Sequence, residues 1–227
     1  MADQIAIRRI KKDAIRVMEM SDLGLFWLPD EDNIMHGHAV ILGCEGSPYY
    51  GGAFCFDVTF PPNYPFAPPV FNYLTNDGHT RFNPNLYKNG KVCLSLLNTW
   101  AGEPWSGVQS LASVLQSIQS AVLNEDPLRN EPAYSSISMH VDIPIYNRIV
   151  QHATLETAII GYLKNPPPYL VPFYDAFRAN VLSAKTKILE RVKALESYDN
   201  TTDHIDFYHM TLKYKFKKLA TALEEIN

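Results

Sequence analysis

One thiol is set apart by the residues around it. Cys93 lies near the end of the run Asn83-Pro84-Asn85-Leu86-Tyr87-Lys88-Asn89-Gly90-Lys91-Val92-Cys93-Leu94, in a chain with three cysteines. Asn, Pro and Gly break regular backbone, so the run predicts an irregular loop, and loops carry chemistry more often than cores do. A cysteine reacts through its thiolate, which is nucleophilic even when only partly ionised near neutral pH. Lys88 and Lys91 stand close enough in sequence to favour that thiolate, although exposed loop lysines more often serve only as solvated charges. Among seven histidines none is an obvious partner, and His79, the nearest in sequence, reads as a loop residue. A cysteine hydrolase using His140 or His152 as base would rest on residue types alone. Cys44, beside a turn, and Cys55, inside a strand, read as small structural hydrophobes.

The rest of the chain must supply a scaffold for that sulfur. With 227 residues and 46% hydrophobic content it can bury one core and a small second lobe. A net charge of −4 argues against a dedicated nucleic-acid binder. No apolar run reaches the length of a membrane span, and Arg8, Arg9, Lys11 and Lys12 are not followed by a signal-peptide core. The odd, sparse cysteines do not form a disulfide framework, and no Cys-x-x-Cys spacing suggests zinc. A reduced, intracellular, soluble protein is the expectation.

Ile7, Ile10, Ala14 and Val17 predict a helix over 3–19, whose basic side is either a solvated face or a dock for an acidic partner. Residues 33–75 read as antiparallel strands. In them Phe54, Phe56, Val58 and Phe60 alternate with Ala53, Cys55, Asp57 and Thr59 as a half-buried strand. Five prolines between Pro61 and Pro69 predict a stiff connector. Ser106-Gly107-Val108-Gln109 has the form of a capping box, opening a helix with Val108, Leu111, Val114, Leu115, Ile118 and Val122 on one face. That helix should end near Asn124, before Glu125-Asp126-Pro127. A helix over 145–164 stops at Asn165-Pro166-Pro167-Pro168, another covers 170–196, and a last one carries Tyr208, Leu212, Phe216, Leu219, Leu223 and Ile226.

Several of these features together resemble the ubiquitin-conjugating enzymes. They are Tyr64-Pro65-Phe66-x-Pro68-Pro69, Pro84-Asn85 ahead of Gly90-Lys91-Val92-Cys93-Leu94, and Trp105-Ser106 before a helix. The resemblance covers roughly residues 3–164. Asn83-Pro84-Asn85, the Asn98-Thr99-Trp100 loop, Asn130-Glu131-Pro132 and the long carboxy-terminal helices point to the Z-type branch. Two features depart from the usual pattern: Asn83 replaces a largely structural histidine, and Ser106-Gly107-Val108 replaces the Ser-Pro-Ala loop that meets RING ligases.

The resemblance implies an α+β fold of the ubiquitin-conjugating type. It would have an amino-terminal helix, a four-stranded antiparallel meander and carboxy-terminal helices, divided into a core over 1–165 and a helical extension over 166–227 packed on it. It implies an enzyme in which Cys93 carries ubiquitin or a ubiquitin-like protein as a thioester. Asn85 would stabilise the oxyanion of aminolysis, or else hold only its own turn. Asp126 matches the gate carboxylate that, with an apolar wall, would orient and desolvate the incoming lysine and lower its ammonium pKa, with Glu125 beside it able to substitute. Tyr87 would line the lysine pocket or simply pack. Arg9, Lys12 and Phe66 match positions that meet activating enzymes and ligases, and Trp100 and Trp105 would shape the cysteine loop. The implied partners are the tag, its activating enzyme, a ligase and protein substrates, with no nucleic acid, no membrane and no cofactor. A monomer in the cytoplasm and the nucleus is expected. A non-catalytic variant of the same fold ought to lack the cysteine.

Overall fold

The computed structural model describes residues 2–136 and 140–226. Helix α1 (Ala2–Met18) buries Ala6, Ile10 and Val17 and leaves most of its basic side in solvent. Four strands follow as a meander in the order β1 (Leu25–Pro29), β2 (His36–Leu42), β3 (Ala53–Thr59) and β4 (Val70–Tyr73), all antiparallel. The register pairs Trp27 with Ala39, Ala39 with Phe56 and Phe56 with Tyr73. Because side chains alternate across a strand, these residues share one face with Leu25, Ile41, Phe54 and Val58, and that face is core. The first strand lies upstream of the stretch that the sequence pattern marks as strand.

Strand β3 is not half-buried as its alternation suggests. Ala53, Phe54, Cys55 and Phe56 are all fully buried, and only Asp57 and Thr59 toward its end reach solvent. The second face of the sheet is covered by later chain. Helix α3 (Asp142–Ala153) continues through a π-helical stretch (Thr154–Gly161) into α4 (Tyr162–Lys164). A side chain at Gly52 would collide with Thr154 of that stretch. Tyr169 stacks on His38, and Phe173 meets Phe26 with ring centroids 6.1 Å apart. A strand covered on both sides cannot be told from a half-buried one by alternation when its second face carries small residues such as Ala53 and Cys55.

Helix α2 (Leu111–Ser117, extended by a π turn over Ile118–Val122) begins later than the Ser106–Gln109 pattern predicts. Its capping box is Ser110 with Ser113, the side chain of each accepting the other's backbone N–H. Gln109 does reach back to the Ser106 N–H, at 3.0 Å, but closes a turn rather than a helix. The Arg9 guanidinium binds the Gly107 and Gln109 carbonyls, which withholds them from a helical ladder. Val108, placed on the apolar face by its spacing, is instead 89% exposed.

Helix α5 (Tyr174–Ala194) agrees with the expected 170–196 helix. The last predicted helix starts too early. Residues Thr202–Ile205 and Met210–Lys213 form a hairpin, β5–β6, and only Phe216–Glu224 is helical, as α6. Tyr208 and Leu212 happen to continue the period of α6, but Asn200 and His209 take left-handed backbone (φ 65° and 49°) that breaks a helix. The hairpin is tied to α3 by the Arg148–Asp203 ion pair, and Tyr214 donates to the same carboxylate at 2.7 Å. Buried His152 accepts the Lys215 N–H on Nε2 at 3.1 Å, which leaves its other nitrogen without a hydrogen-bond partner. Among the described residues no helix is long and apolar enough to cross a membrane.

Candidate active site

The loop before Cys93 is built on Asn83, which has no solvent exposure. Its Nδ2 donates to Tyr49 Oη (2.9 Å) and to Val122 O (2.6 Å), and its Oδ1 accepts the Asn85 N–H (2.8 Å). Tyr49 in turn donates to Phe82 O. The asparagine therefore anchors the loop to the end of α2 through two donors and one acceptor, a set suited to a carboxamide. Farther along, Tyr87 N–H donates to Lys91 O and Gly90 N–H to Tyr87 O, closing a tight turn. Gly90 has φ 92°, and a Cβ there would lie 2.0 Å from Asn72 Oδ1, so the turn requires glycine.

Asn85 and Cys93 are bonded to each other twice. The Cys93 N–H donates to Asn85 O at 2.8 Å, and Asn85 Nδ2 donates to Cys93 O at 2.7 Å. Asn85 Oδ1 is buried without a hydrogen-bond partner. The amide thus holds the turn at the cysteine while keeping its second Nδ2 hydrogen, because a carboxamide has two. On the far side of the cysteine, Thr99 Oγ1 accepts the Leu94 N–H (2.9 Å) and donates to Val92 O (2.7 Å). One hydroxyl thus ties together the residues before and after Cys93. Trp105 is buried and donates Nε1–H to Pro65 O at 2.7 Å, which fits a shaping role, whereas Trp100 is half exposed.

Cys93 itself is 1% exposed, so the resting thiol is enclosed. Burial pushes the Cys55 thiol up to about 12, and it also raises that of Cys44. Neither is suited to act as a thiolate near neutral pH.

Asp126 sits on the loop after α2, where Asn130 Nδ2 donates to Val122 O, the same carbonyl that Asn83 binds. The aspartate loop and the cysteine loop therefore meet at one point. Its carboxylate accepts from Asn147 Nδ2 (3.0 Å) and Arg129 Nε (3.2 Å) and stays partly exposed, while Glu125 beside it is exposed. Sequence spacing carries no sign of Asn147, which lies on α3, 21 residues beyond Asp126. Tyr87 carries the Arg81 guanidinium carbon 3.4 Å from its ring centroid and the Lys91 ammonium at 5.5 Å. The sequence does not single out Arg81, because a lone arginine before a loop has no distinguishing pattern.

The proposed partner-binding residues divide. Phe66 is 73% exposed and Lys12 is exposed. Arg9 is engaged within the chain, donating to Asp13 Oδ1 at 3.0 Å and to the 107–109 turn. Asp13 is buried and also takes the Tyr64 hydroxyl. Between α1 and that turn runs a groove of about 620 Å³ lined by Lys12, Arg16, Glu19 and Val108. For the hydrolase reading, His152 is buried with its Nε2 occupied, and His140 lies against Tyr134 and Asp142.

A helix, a four-stranded meander, a proline connector and an asparagine–cysteine loop braced on the next helix define a ubiquitin-conjugating fold. The family model described as ubiquitin-conjugating enzyme matches residues 9–151, and the chain belongs to that family. It is similar to ubiquitin-conjugating enzyme E2 Z of Danio rerio, 42% identical over 164 residues, covering 72% of this chain and 50% of the relative. The Homo sapiens protein of that name is 41% identical over 175 residues, 77% of this chain and 49% of the relative. These matches agree with the Z-type branch. The chain spans about half the length of these curated relatives. Among solved structures, a Toxoplasma gondii ubiquitin-conjugating E2 domain is similar with a TM-score of 0.54 and 28% identity, covering 66% of this chain and 97% of that one.

Proposed function

We propose that the chain accepts ubiquitin, or a ubiquitin-like protein, from an activating enzyme as a thioester on Cys93 and passes it to a lysine amine or a ligase. The observation that carries this reading is the double Asn85–Cys93 pairing, which places a carboxamide beside the one cysteine set on a braced loop. In loading, the Cys93 thiolate adds to the carbonyl carbon of the incoming thioester, a new C–S bond forms, and the activating enzyme's thiolate leaves. One thioester replaces another, so the exchange costs little. In transfer, a neutral lysine amine adds to the same carbon and the Cys93 thiolate leaves as the amide forms.

Addition of the amine develops charge on the carbonyl oxygen, which a positioned amide donor stabilises. Asn85 supplies that donor with the hydrogen its turn does not use. The amine arrives as an ammonium ion and must lose a proton; the Asp126 carboxylate, held by Asn147 and Arg129, orients it and takes part in that loss. Tyr87 lines the lysine's approach, and Phe66 with Lys12 meets the activating enzyme and the ligase. The chain works as a monomer in the cytoplasm and nucleus.

Incubation with an activating enzyme, ATP and ubiquitin tests the reading. The expected result is an adduct on non-reducing gels that thiol releases and that Cys93→Ala lacks. Absence of an adduct with every activating enzyme tried would favour a binding-only variant of the fold, and release of processed free tag would favour the hydrolase.

A further inference from the structure

The asparagine–cysteine loop has a second brace, from the far end of the chain. Tyr208 lies in the turn between β5 and β6, and Met210 opens β6. Both reach Arg81, two residues before Asn83. The Arg81 N–H points at Met210 Sδ (3.1 Å), and its carbonyl accepts the Tyr146 hydroxyl (2.6 Å). Its side chain forks onto consecutive carbonyls, with Nε on Asn83 O (3.0 Å) and Nη2 on Pro84 O (2.7 Å). The guanidinium carbon lies over the Tyr87 ring at 3.4 Å and over the Tyr208 ring at 5.4 Å. Tyr208 is itself oriented by donating to Glu131 Oε2 (3.1 Å) and by the Tyr146 ring.

A planar guanidinium can grip two carbonyls and present its face to an aromatic ring at once, and a lysine ammonium cannot. The gripped carbonyls belong to the two residues just before Asn85, whose own carbonyl and Nδ2 are both bonded to Cys93. A continuous path therefore runs from the hairpin through Tyr208 and Arg81 to Asn83 and Pro84, then to Asn85 and the cysteine.

We infer that Arg81 and Tyr208 are positioning residues for conjugation. The carboxy-terminal hairpin holds Arg81 on the Asn83 and Pro84 carbonyls and thereby sets the Asn85 amide against the acyl group on Cys93. This rests on the oxyanion role proposed for Asn85. Arg81 and Tyr208 act through Asn85 and not on the reacting atoms.

The test uses the full chain with Tyr208→Ala, Tyr208→Phe and Arg81→Lys, and two readouts. The first is hydrogen exchange of the 85–93 amides in the unloaded protein, with β2 and β3 amides as the control for global folding. The second is single-turnover discharge of ubiquitin from Cys93 to free lysine. Tyr208→Ala should speed exchange at 85–93 alone and slow discharge about fivefold, the scale of one lost cation–π contact, and Arg81→Lys, which also gives up the double grip on the Asn83 and Pro84 carbonyls, should do both at least as strongly, each with parent-like loading. Tyr208→Phe loses the bond to Glu131 but keeps the ring and its contact with Tyr146, and should stay nearer the parent than Tyr208→Ala in both. In an Asn85→Ala background, Tyr208→Ala should add no further slowing. Parent-like exchange in both Tyr208→Ala and Arg81→Lys would overturn the inference, as would equal impairment by alanine and phenylalanine, or a full multiplicative loss on top of Asn85→Ala. Should Asn85→Ala alone discharge at the parent rate, the oxyanion reading fails separately, and the exchange data still decide whether the hairpin holds the loop.

Discussion

Replacing Asn83 by alanine removes two donors and one acceptor from a site without solvent. The Asn85 N–H loses its partner, Tyr49 Oη loses the hydrogen bond it accepts, and Val122 O keeps only Asn130. A net contribution of about 1 kcal/mol for each of the three bonds, with the buried Asn85 N–H left unpaired, sets the expected loss at about 3–4 kcal/mol. Urea unfolding followed by far-UV circular dichroism measures it. With a slope of about 2 kcal/mol per molar, the midpoint should fall by about 1.5–2 M at unchanged slope. Asn83→Asp should be at least as damaging, because it gives up both donors and buries a carboxylate. A midpoint shift under 0.5 M for Asn83→Ala, roughly 1 kcal/mol on that slope, would show that these bonds do not brace the loop and would refute the reasoning.

Asn85→Ala should slow lysine transfer by about 10²–10³ while leaving loading on Cys93 largely intact, and equal transfer rates at matched loading would sink the oxyanion role. Arg9→Ala should cost about 2–3 kcal/mol, read by chemical denaturation, because Asp13 is buried and the 107–109 turn loses its tie to α1. Two histidines give pH dependence of opposite kinds. Burial holds His152 below its usual 6.5, so the protein should lose stability as pH falls from 6.5 toward its folded value, and His152→Gln should flatten that limb of a melting-temperature profile. His36, hydrogen-bonded to Asp30 and close to Asp57, is raised above 6.5, so its contribution is complete below 6.5 and disappears as pH rises through the folded value; His36→Gln should cost more at pH 6 than at pH 8.

Local chemistry made much of this protein legible. The Asn-Pro-Asn and Asn-Gly turns, the proline connector and the apolar period of α1, α2 and α5 depend on neighbours within a few residues, and the chain displays those directly. The same is true of Cys93, whose loop was evident before any fold was known. The errors share a different cause. Helix α2 starts at Leu111 rather than Ser106 because Arg9, about a hundred residues earlier, claims the carbonyls of the intervening turn. Tyr208 and Leu212 fit a helical period, yet left-handed backbone at Asn200 and His209 and the ties of Asp203 to Arg148 and Tyr214 fold them into a hairpin.

The site divides in the same way. The sequence by itself marked Cys93 as the candidate nucleophile and Asn85, eight residues before it, as its companion, since both lie in one turn-rich run. Only the tertiary structure decided how they are held: Asn83 on the end of α2, Asp126 between Asn147 and Arg129, and Arg81 beneath a tyrosine from the last hairpin. Apart from Arg129, three residues beyond Asp126, those partners lie tens of residues or more apart along the chain, and contacts at such separations exist only once the helices and the sheet have packed.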